Sequence, residues 1–437
     1  MQRYGMDTLS RRQMLKVMSA AAGYALASQA IALPAEVWAH SQRDEAFLSD
    51  LERQGCLFFW EQASPTTGQI LDRARNDLAG ARDPRRMASI ASTGFGLTAL
   101  CIADRRGYLP HAQIVERVKT TLEWHLNNLP EVHGFFYHFS DIETGKRFSG
   151  SELSSIDTAL LLCGILTARA YFQDERIKLL ALHLYERVDW PWMLNGGKTF
   201  SMGWQPDTGF LNARWEHYCE LIMIYLLAIG SPSHSVAPEY WRNFTRPVIH
   251  YKSYDYISGD DPIFTHQYSQ AWYDFRGKRD AFADYFANSV TATRAHKAFC
   301  LSYPKWYSDD YWGITASDYA GGYTAWGGPP AQGPIDGTVV PSAAAGSLAF
   351  LPAECLSVLR TMRSKWGKQA WGRYGFVDAF HPSANWYDPD VLGIDQGISV
   401  LMAENLRSSL VWDTFMRNPE CAQAMKLVGF KAESQSR

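Results

Sequence analysis

Apolar residues spaced for helices recur along most of the chain, and this limits the folds that it can adopt. In residues 211–229 they return every three or four positions, and the pattern stops at Gly230 with Pro232 just beyond. Strand signals are few and short. Similar helical patterns cover residues 44–63, 87–104, 111–128, 151–172, 175–189, 282–300, 338–363 and 394–416.

The segments between these helices are long and rich in Gly, Trp, Tyr and Asp, and a short hairpin is predicted near residues 133–148. No domain linker, low-complexity run or strict repeat interrupts the chain. Eleven or twelve helices without a sheet must bury their apolar faces against one another. We therefore predict an all-α fold: a single toroid of paired helices, with long functional loops and a few short β-hairpins. A two-layer solenoid is the alternative.

Composition narrows the function. The 437 residues carry 42 Lys and Arg against 45 Asp and Glu, so the electrostatic footprint of a nucleic-acid-binding protein is absent. The 16 Trp and 22 Tyr favour a carbohydrate-binding cleft, although a large aromatic core would also account for them. GxSxG, HExxH, P-loop and GxGxxG motifs are absent, and the twelve His lack metal-ligand spacing. We expect no metal or organic cofactor.

The seven cysteines are scattered, without a CxxC pair or a Cys/His cluster. Most lie in apolar helical runs, where Cys behaves as a small hydrophobic residue. An odd, unclustered set argues against a disulfide framework and against structural zinc.

The N-terminus has the pattern of an export signal. Arg11 and Arg12 precede an Ala-rich apolar run over residues 17–33, and a small-residue cleavage pattern ends at Ala39. We predict a twin-arginine signal over residues 1–39, recognised by the twin-arginine export machinery, and a catalytic domain over 40–437. The mature protein is then expected in the periplasm, without stable membrane association. A retained membrane anchor is the alternative.

Two carboxylates stand at the head of the segment 211–229. Glu216 and Glu220 are four residues apart, which places them on one face if the segment is helical. They lie among Arg214, Trp215 and Tyr218. Aromatic rings pack on sugar faces, and glycosidic bonds are cut by paired acids, so this stretch predicts a sugar-processing cleft. Alternatively, both are solvated first-turn residues that the helix dipole favours.

Acids recur where other loops enter helices, each near Trp or Tyr. Asp157 falls in the first turn of the helix at 151–172, and Asp395 begins the helix at 394–416. Several such entries are hard to explain as solvated faces alone. The predicted substrate-binding residues are Glu152, Trp204, Arg214, Trp215, Glu216, Tyr218, His266, Gln267, Asp274, Arg276, Trp312, Asp318, Asp336, Trp386, Tyr387 and Gln396.

These motifs together resemble the glucoamylase-like domain family, which includes bacterial endo-β-1,2-glucanases and a domain of cyclic β-1,2-glucan synthases. The resemblance extends from about residue 45 to 430 and keeps the order of the motifs. It is carried by Trp204–His234, Phe264–Gln267, Asp274–Gly277, Trp312–Asp318, Asp336–Thr338 and Gly393–Gly397.

The resemblance implies an (α/α)6 barrel that hydrolyses β-1,2-linked glucan with acidic residues and without metal or organic cofactor. Glu220 matches the second acid of the family's Trp-acid-x-Tyr-x-Glu element. Asp157 matches the Asp of its Ser-x-x-Asp-Thr-Ala element, and Asp395 matches the Asp of its Gly-Ile-Asp-Gln-Gly element. The chain departs from the family where Ile398 follows Gly397 in place of Pro.

We predict that Glu220 is the general acid and Asp395 the base that activates water, with Asp157 in reserve as base and Glu216 as acid. Partial burial should raise the pKa of Glu220, and a polar helix entry should keep Asp395 ionised. The expected enzyme is an inverting, endo-acting glycoside hydrolase. A β-glucan transglycosylase and a non-catalytic glucan-binding protein are the alternatives.

Overall fold

Helices dominate the part of the chain that the computed structural model describes, which is residues 41–148, 150–259, 262–325, 329 and 335–432. Fourteen α-helices lie within these residues, and short 3-10 turns occupy Pro238–Arg242, Ile263–His266 and Pro382–Ala384. The helices are α1 (Gln42–Glu61), α2 (Ile90–Arg106), α3 (His111–Asn127), α4 (Ser155–Tyr171), α5 (Glu175–Glu186), α6 (Trp190–Leu194), α7 (Ile222–Gly230), α8 (Tyr268–Trp272), α9 (Tyr285–Cys300), α10 (Pro341–Ala345), α11 (Pro352–Ala370), α12 (Gly393–Ser408), α13 (Leu410–Phe415) and α14 (Pro419–Leu427).

The helices form an inner and an outer layer. Helix α2 packs between α4 and α12, and these three are buried over most of their length. Helices α1, α3 and α5 pack outside them with one polar face exposed. Gly94 and Gly164 bring α2 and α4 into backbone contact, because a Cβ on either glycine would strike the other helix. The predicted fold class, an all-α α/α barrel, is confirmed.

The strands are short and pair mainly as two-stranded ribbons, with one three-stranded sheet. Three of them end where inner helices begin: β2 before α2, β6 before α4 and β18 before α12. The hairpin predicted near 133–148 is present as an antiparallel bridge between Ser140 and Arg147, and a separate hairpin of β3 and β4 turns at residues with positive φ. The strands are β1 (Arg73–Arg75), β2 (Met87–Ser89), β3 (Glu131–Val132), β4 (Phe135–Phe136), β5 (Phe139–Asp141), β6 (Leu153–Ser154), β7 (Gly203–Gln205), β8 (Gly209–Phe210), β9 (Val248–Tyr251), β10 (Tyr254–Ile257), β11 (Lys278–Arg279), β12 (Ser317–Tyr319), β13 (Gly322–Thr324), β14 (Trp371–Gly372), β15 (Gly375–Phe376), β16 (Phe380–His381), β17 (Trp386–Tyr387), β18 (Asp390–Leu392) and β19 (Lys431–Ala432).

One predicted helix is wrong over half its length. The helix expected at 211–229 begins only at Ile222, and the residues before it are not helical. Their backbone bonds to other loops: Trp215 N donates to Phe200 O at 2.9 Å, and Tyr218 N to Thr245 O at 2.9 Å. Glu216 and Glu220 therefore do not share a helical face, because these bonds to distant residues replace the i to i−4 bonds of a helix.

Two other predicted helices are each divided. The one expected at 338–363 becomes α10 and α11, separated by residues 346–351. The one expected at 394–416 becomes α12 and α13, where Ser409 takes a left-handed conformation with φ of 60°. Pro352 is favoured in a first helical turn and disfavoured in a helix interior, which explains the first division.

All seven cysteines are buried and none forms a disulfide, as the sequence predicts. Within the described residues, no helix is both long and apolar enough to cross a membrane. The predicted signal, residues 1–39, lies outside the described residues.

Candidate active site

The first turns of several inner helices meet around one group of acids. Asp157 lies in the first turn of α4 and Asp395 in the first turn of α12, and Glu220 comes two residues before α7. A side chain on Gly393 would strike Ser92 in the first turn of α2, so these two helix starts touch. Helix N-termini carry partial positive charge, and their convergence favours bound or protein carboxylates.

Asp395 faces a second carboxyl, Asp378, from the segment between β15 and β16. Both line one small cavity with Ser342 and Gln396. Asp395 is only 4% exposed, and burial raises its pKa to about 6 although Asp378 and Ser342 act to lower it. Burial, followed by the charge of Asp395, raises the pKa of Asp378 well above its usual range. The environment of Asp395 thus differs from the expected one, because burial outweighs the local N–H groups.

One arginine, Arg73, forms ion pairs with two acids close to Asp378 and Asp395. Arg73 Nη1 lies 2.7 Å from Asp318 Oδ2, and Arg73 Nε lies 3.0 Å from Asp72 Oδ2. Asp388 adjoins Asp318, and burial together with that neighbour raises the pKa of Asp388 to about 7. The site is therefore rich in carboxyls that hold or share protons near neutral pH.

On the α4 side, an imidazole joins two carboxylates. His138 Nδ1 lies 3.1 Å from Glu152 Oε1, and His138 Nε2 lies 3.5 Å from Asp157 Oδ1. The Ser154 hydroxyl donates to Asp157 Oδ2 at 2.5 Å. Burial acts to lower the pKa of His138, but the charges of Asp157 and Glu152 raise it to about 9. The ring is therefore an imidazolium at neutral pH, and it holds Asp157 in place.

Glu220 approaches the same group of acids from the loop before α7. It is 8% exposed, and its backbone oxygen accepts a bond from Ser269 Oγ at 2.7 Å. Burial raises the pKa of the neighbouring Tyr268 phenol, and the charges of Asp395 and Glu220 raise it further. Both carboxylates therefore act on one phenol. Glu216, by contrast, has a side chain that is 55% exposed.

Several predicted substrate-binding residues instead form the floor beneath the site. Gln267 Nε2 donates to Ala343 O at 3.0 Å and so joins α8 to α10, while Trp215 Nε1 donates to Ser155 Oγ at 2.8 Å. These residues fix the helix entries. The other buried members of this group are Tyr218, His266, Trp312 and Gln396.

His266 is almost completely buried. Its pKa falls to about 3 through burial and the neighbouring His296. Tyr218 stacks on Tyr285 with ring centroids 5.8 Å apart. Neither side chain is placed to exchange protons with a substrate.

Other predicted residues lie in the surrounding loops. Trp204 is half-buried and pairs with Leu153, next to Glu152. Tyr387 stacks on Phe380 with ring centroids 5.8 Å apart. The remaining loop residues are Trp386, which is half-buried in β17; Arg214, which donates to Leu194 O at 2.7 Å; and Asp336, which accepts from Thr338 N at 2.8 Å.

Asp274 and Arg276 lie at the opposite end of the helices. They follow the C-terminus of α8, and Arg276 bonds to Asp274 at 2.9 Å and to the Ser409 hydroxyl at 3.0 Å, just beyond the C-terminus of α12. The guanidinium also lies 4.0 Å from the Trp412 ring centroid. The position of this pair does not fit the predicted role in substrate binding.

Sequence reasoning missed part of the site. Asp72 lies in a polar stretch after the first predicted helix that carries no motif, and Asp378 is a lone acid among apolar neighbours. An acid in an otherwise buried stretch is the signal that could have revealed it. The missed residues are Asp72, Arg73, His138, Tyr268, Asp378 and Asp388.

The described residues contain two sets of three potential metal donors, and within each set the donor atoms lie within 4.8 Å of one another. In the set of His138, Glu152 and Asp157, both ring nitrogens of His138 face carboxylates and can donate hydrogen bonds to them. In the other set, Asp318 is neutralised by Arg73, and raised pKa values leave protons on its two neighbours. We assign no metal ligand from these sets.

Comparison with known proteins finds a family match over part of the chain. Residues 212–419 match the glycoamylase family, described as "Putative glucoamylase". A curated relative, the exo β-1,2-glucooligosaccharide sophorohydrolase (non-reducing end) of Parabacteroides distasonis, is 27% identical over 429 residues, covering 88% of this chain and 58% of the relative. The chain thus spans less than two thirds of that relative's length.

Solved structures are similar over nearly their full length. An endo-β-1,2-glucanase from Chitinophaga pinensis, in complex with sophorotriose and glucose, has a TM-score of 0.82 at 28% identity, covering 90% of this chain and 99% of that one. A Bacteroides uniformis protein with the same description as the family has a TM-score of 0.83 at 27% identity, with the same coverage. By sequence motifs, fold and these matches, the chain is similar to the glucoamylase-like family.

Proposed function

We propose that this protein is a glycoside hydrolase that cleaves β-1,2-linked glucan. The observation that carries the proposal is the placement of Glu220 and Asp395, two largely buried carboxyls on separate helix entries that both act on Tyr268. Two such groups in different environments suit an acid and a base. The β-1,2-glucan activities named for the similar proteins support this choice of linkage.

In the proposed mechanism, Glu220 protonates the glycosidic oxygen as its bond to the anomeric carbon breaks. Asp395 takes a proton from the water that attacks the opposite face of that carbon. A base with a pKa of about 6 is ionised at neutral pH yet retains useful basicity. Attack by water in a single step inverts the anomeric centre.

The test is incubation of purified protein with linear β-1,2-glucan. Glu220→Gln should lower kcat at least ~100-fold while glucan binding persists, because only proton donation is lost. The matched control is Glu216→Gln, which removes an exposed carboxylate and should change kcat less than ~2-fold. Equal losses in both variants would contradict the assignment of the acid.

The products separate the alternatives. Oligosaccharides of many lengths indicate cleavage inside the chain, which we propose, whereas a single disaccharide product indicates exo action. New or cyclic chains indicate a transglycosylase, and binding without turnover indicates a glucan-binding protein. Absence of both binding and turnover would end the proposal.

We also propose that the protein is exported to the periplasm by the twin-arginine route. Arg11 and Arg12 support this because both head an apolar, Ala-rich run. Changing both to Lys should leave the precursor in the cytoplasm, as measured by cell fractionation. Normal export of the double variant would contradict the twin-arginine route.

A further inference from the structure

We infer that Asp378 is a positioning residue. It keeps its proton and donates a hydrogen bond to Asp395, which keeps the base ionised and oriented. This inference rests on the proposed function of Asp395. It assigns the two carboxyls different tasks: Asp395 exchanges protons with water, and Asp378 retains its own.

The hydrogen bonds of the pair require a shared proton. Asp378 Oδ2 accepts from Asp318 N at 2.8 Å. The other oxygen, Asp378 Oδ1, is buried with no donor among the described residues, and so is Asp395 Oδ2. Both carboxyls line the same cavity. Two ionised carboxylates here would leave buried charges unpaired, whereas one proton between them serves both groups.

The surroundings disfavour a second ionisation. Arg73, the cation described nearby, is bound to Asp318 and Asp72. Most other groups that act on the pair are acids or phenols. The charged and titratable groups that face it are Asp72, Arg73, Tyr268, Asp318, Tyr323 and Asp388.

The proton belongs mainly to Asp378. Burial and the charge of Asp395 raise the pKa of Asp378 well above its usual range, whereas the pKa of Asp395 is about 6. A hydrogen bond from a protonated Asp378 would favour the ionised form of Asp395. At neutral pH, Asp395 is therefore the ionised member.

Two substitutions separate donation from space filling. Asp378→Asn keeps a donor to Asp395 and an acceptor for Asp318 N, so it should retain at least about a tenth of the wild-type kcat. The acid limb, which is the fall of kcat/KM at low pH, should lie within ~0.5 pH unit of the wild-type limb. Asp378→Leu has similar volume but no donor, so it should lower kcat more than ~10-fold and move the acid limb upward by about one pH unit. A structural role alone would change the melting temperature and leave the acid limb in place.

Two outcomes overturn the inference. If Asp378→Asn loses as much activity as Asp395→Asn, Asp378 is itself the reacting base. If the Leu and Asn variants share the wild-type acid limb, no proton is donated to Asp395.

An infrared measurement needs no turnover. The difference spectrum of wild type minus Asp378→Asn at pH 7 should contain the stretching band of a protonated carboxyl, and its absence would overturn the inference. If wild type cleaves no glucan, the proposed function fails, but this spectrum still decides whether Asp378 holds the proton. It also decides the matter if the Leu variant does not fold.

Discussion

The two ends of helices α2 and α12 hold buried acids in opposite ways. At the C-terminal end, Arg106 donates to both oxygens of Glu404, each at 2.8 Å, and Arg407 binds Glu52. Both glutamates are fully buried and each has an arginine. At the N-terminal end, Asp378 and Asp395 line one cavity, and no arginine in the described part of the chain pairs with either of them.

This difference indicates which end can carry out proton chemistry. At the C-terminal end, arginines compensate the buried acids in place and tie the helices together, although burial and the charge of Glu404 raise the pKa of Glu52 well above its usual range. A carboxyl that shares a proton changes charge near neutral pH, as a catalytic group must. A buried acid is therefore not by itself a sign of an active site. The sign is a group of buried acids that outnumbers the cations bound to it.

The largest expected effect is the loss of the base. Asp395→Asn should lower kcat at least ~100-fold because the amide cannot take a proton from water. The same change should keep or raise the melting temperature at pH 7. The folded pKa of about 6 exceeds the reference value of 3.8, so Asp395 stabilises the fold at low pH and this contribution is lost as pH rises through 6. A melting temperature several degrees lower would contradict this assignment of charge.

The opposite end should respond in stability. Arg106→Met leaves Glu404 buried with its bidentate partner removed, so the free energy of unfolding should fall by about 3 kcal/mol. Chemical denaturation measures the loss, and the kcat of the folded fraction should stay near that of wild type. Adding Glu404→Gln should recover part of the stability, because the unpaired charge is removed. A large loss of kcat would contradict the separation of the two ends.

The pH profile tests the same contrast without mutation. The base must be ionised, so kcat/KM should fall about tenfold per pH unit below the Asp395 pKa of about 6. Measurement of kcat/KM from pH 4.5 to 8 locates this limb. A limb near pH 4, typical of an exposed aspartate, would contradict the buried environment of Asp395.

The smallest effect is expected at Asp274. The Asp274 carboxylate pairs with Arg276 and Lys278 near the C-terminal end of the helices. Asp274→Asn should change kcat/KM less than ~2-fold and lower the free energy of unfolding by about 1 kcal/mol or less. Measured KM for glucan is the deciding value, since a large increase would restore the predicted role in substrate binding.

The sequence by itself determined the fold class and the positions of the first five helices. Apolar spacing placed α1 to α5 correctly because that spacing reflects which helix face is buried. Asp157 and Asp395 were identifiable because helix entries have local signals: a Ser cap for α4 and a short Gly-flanked acid motif for α12. Such signals depend on neighbours within a few residues.

Only the tertiary structure decided which acids meet and which of them hold protons. Residues 211–221 have helical spacing but are not helical, because Phe200 and Thr245 accept the backbone hydrogen bonds of Trp215 and Tyr218. Asp378 lies 17 positions before Asp395 in the chain, and no local pattern shows that they share a cavity. Burial and the distances between charges set their pKa values, and both arise from contacts between residues that are distant in sequence.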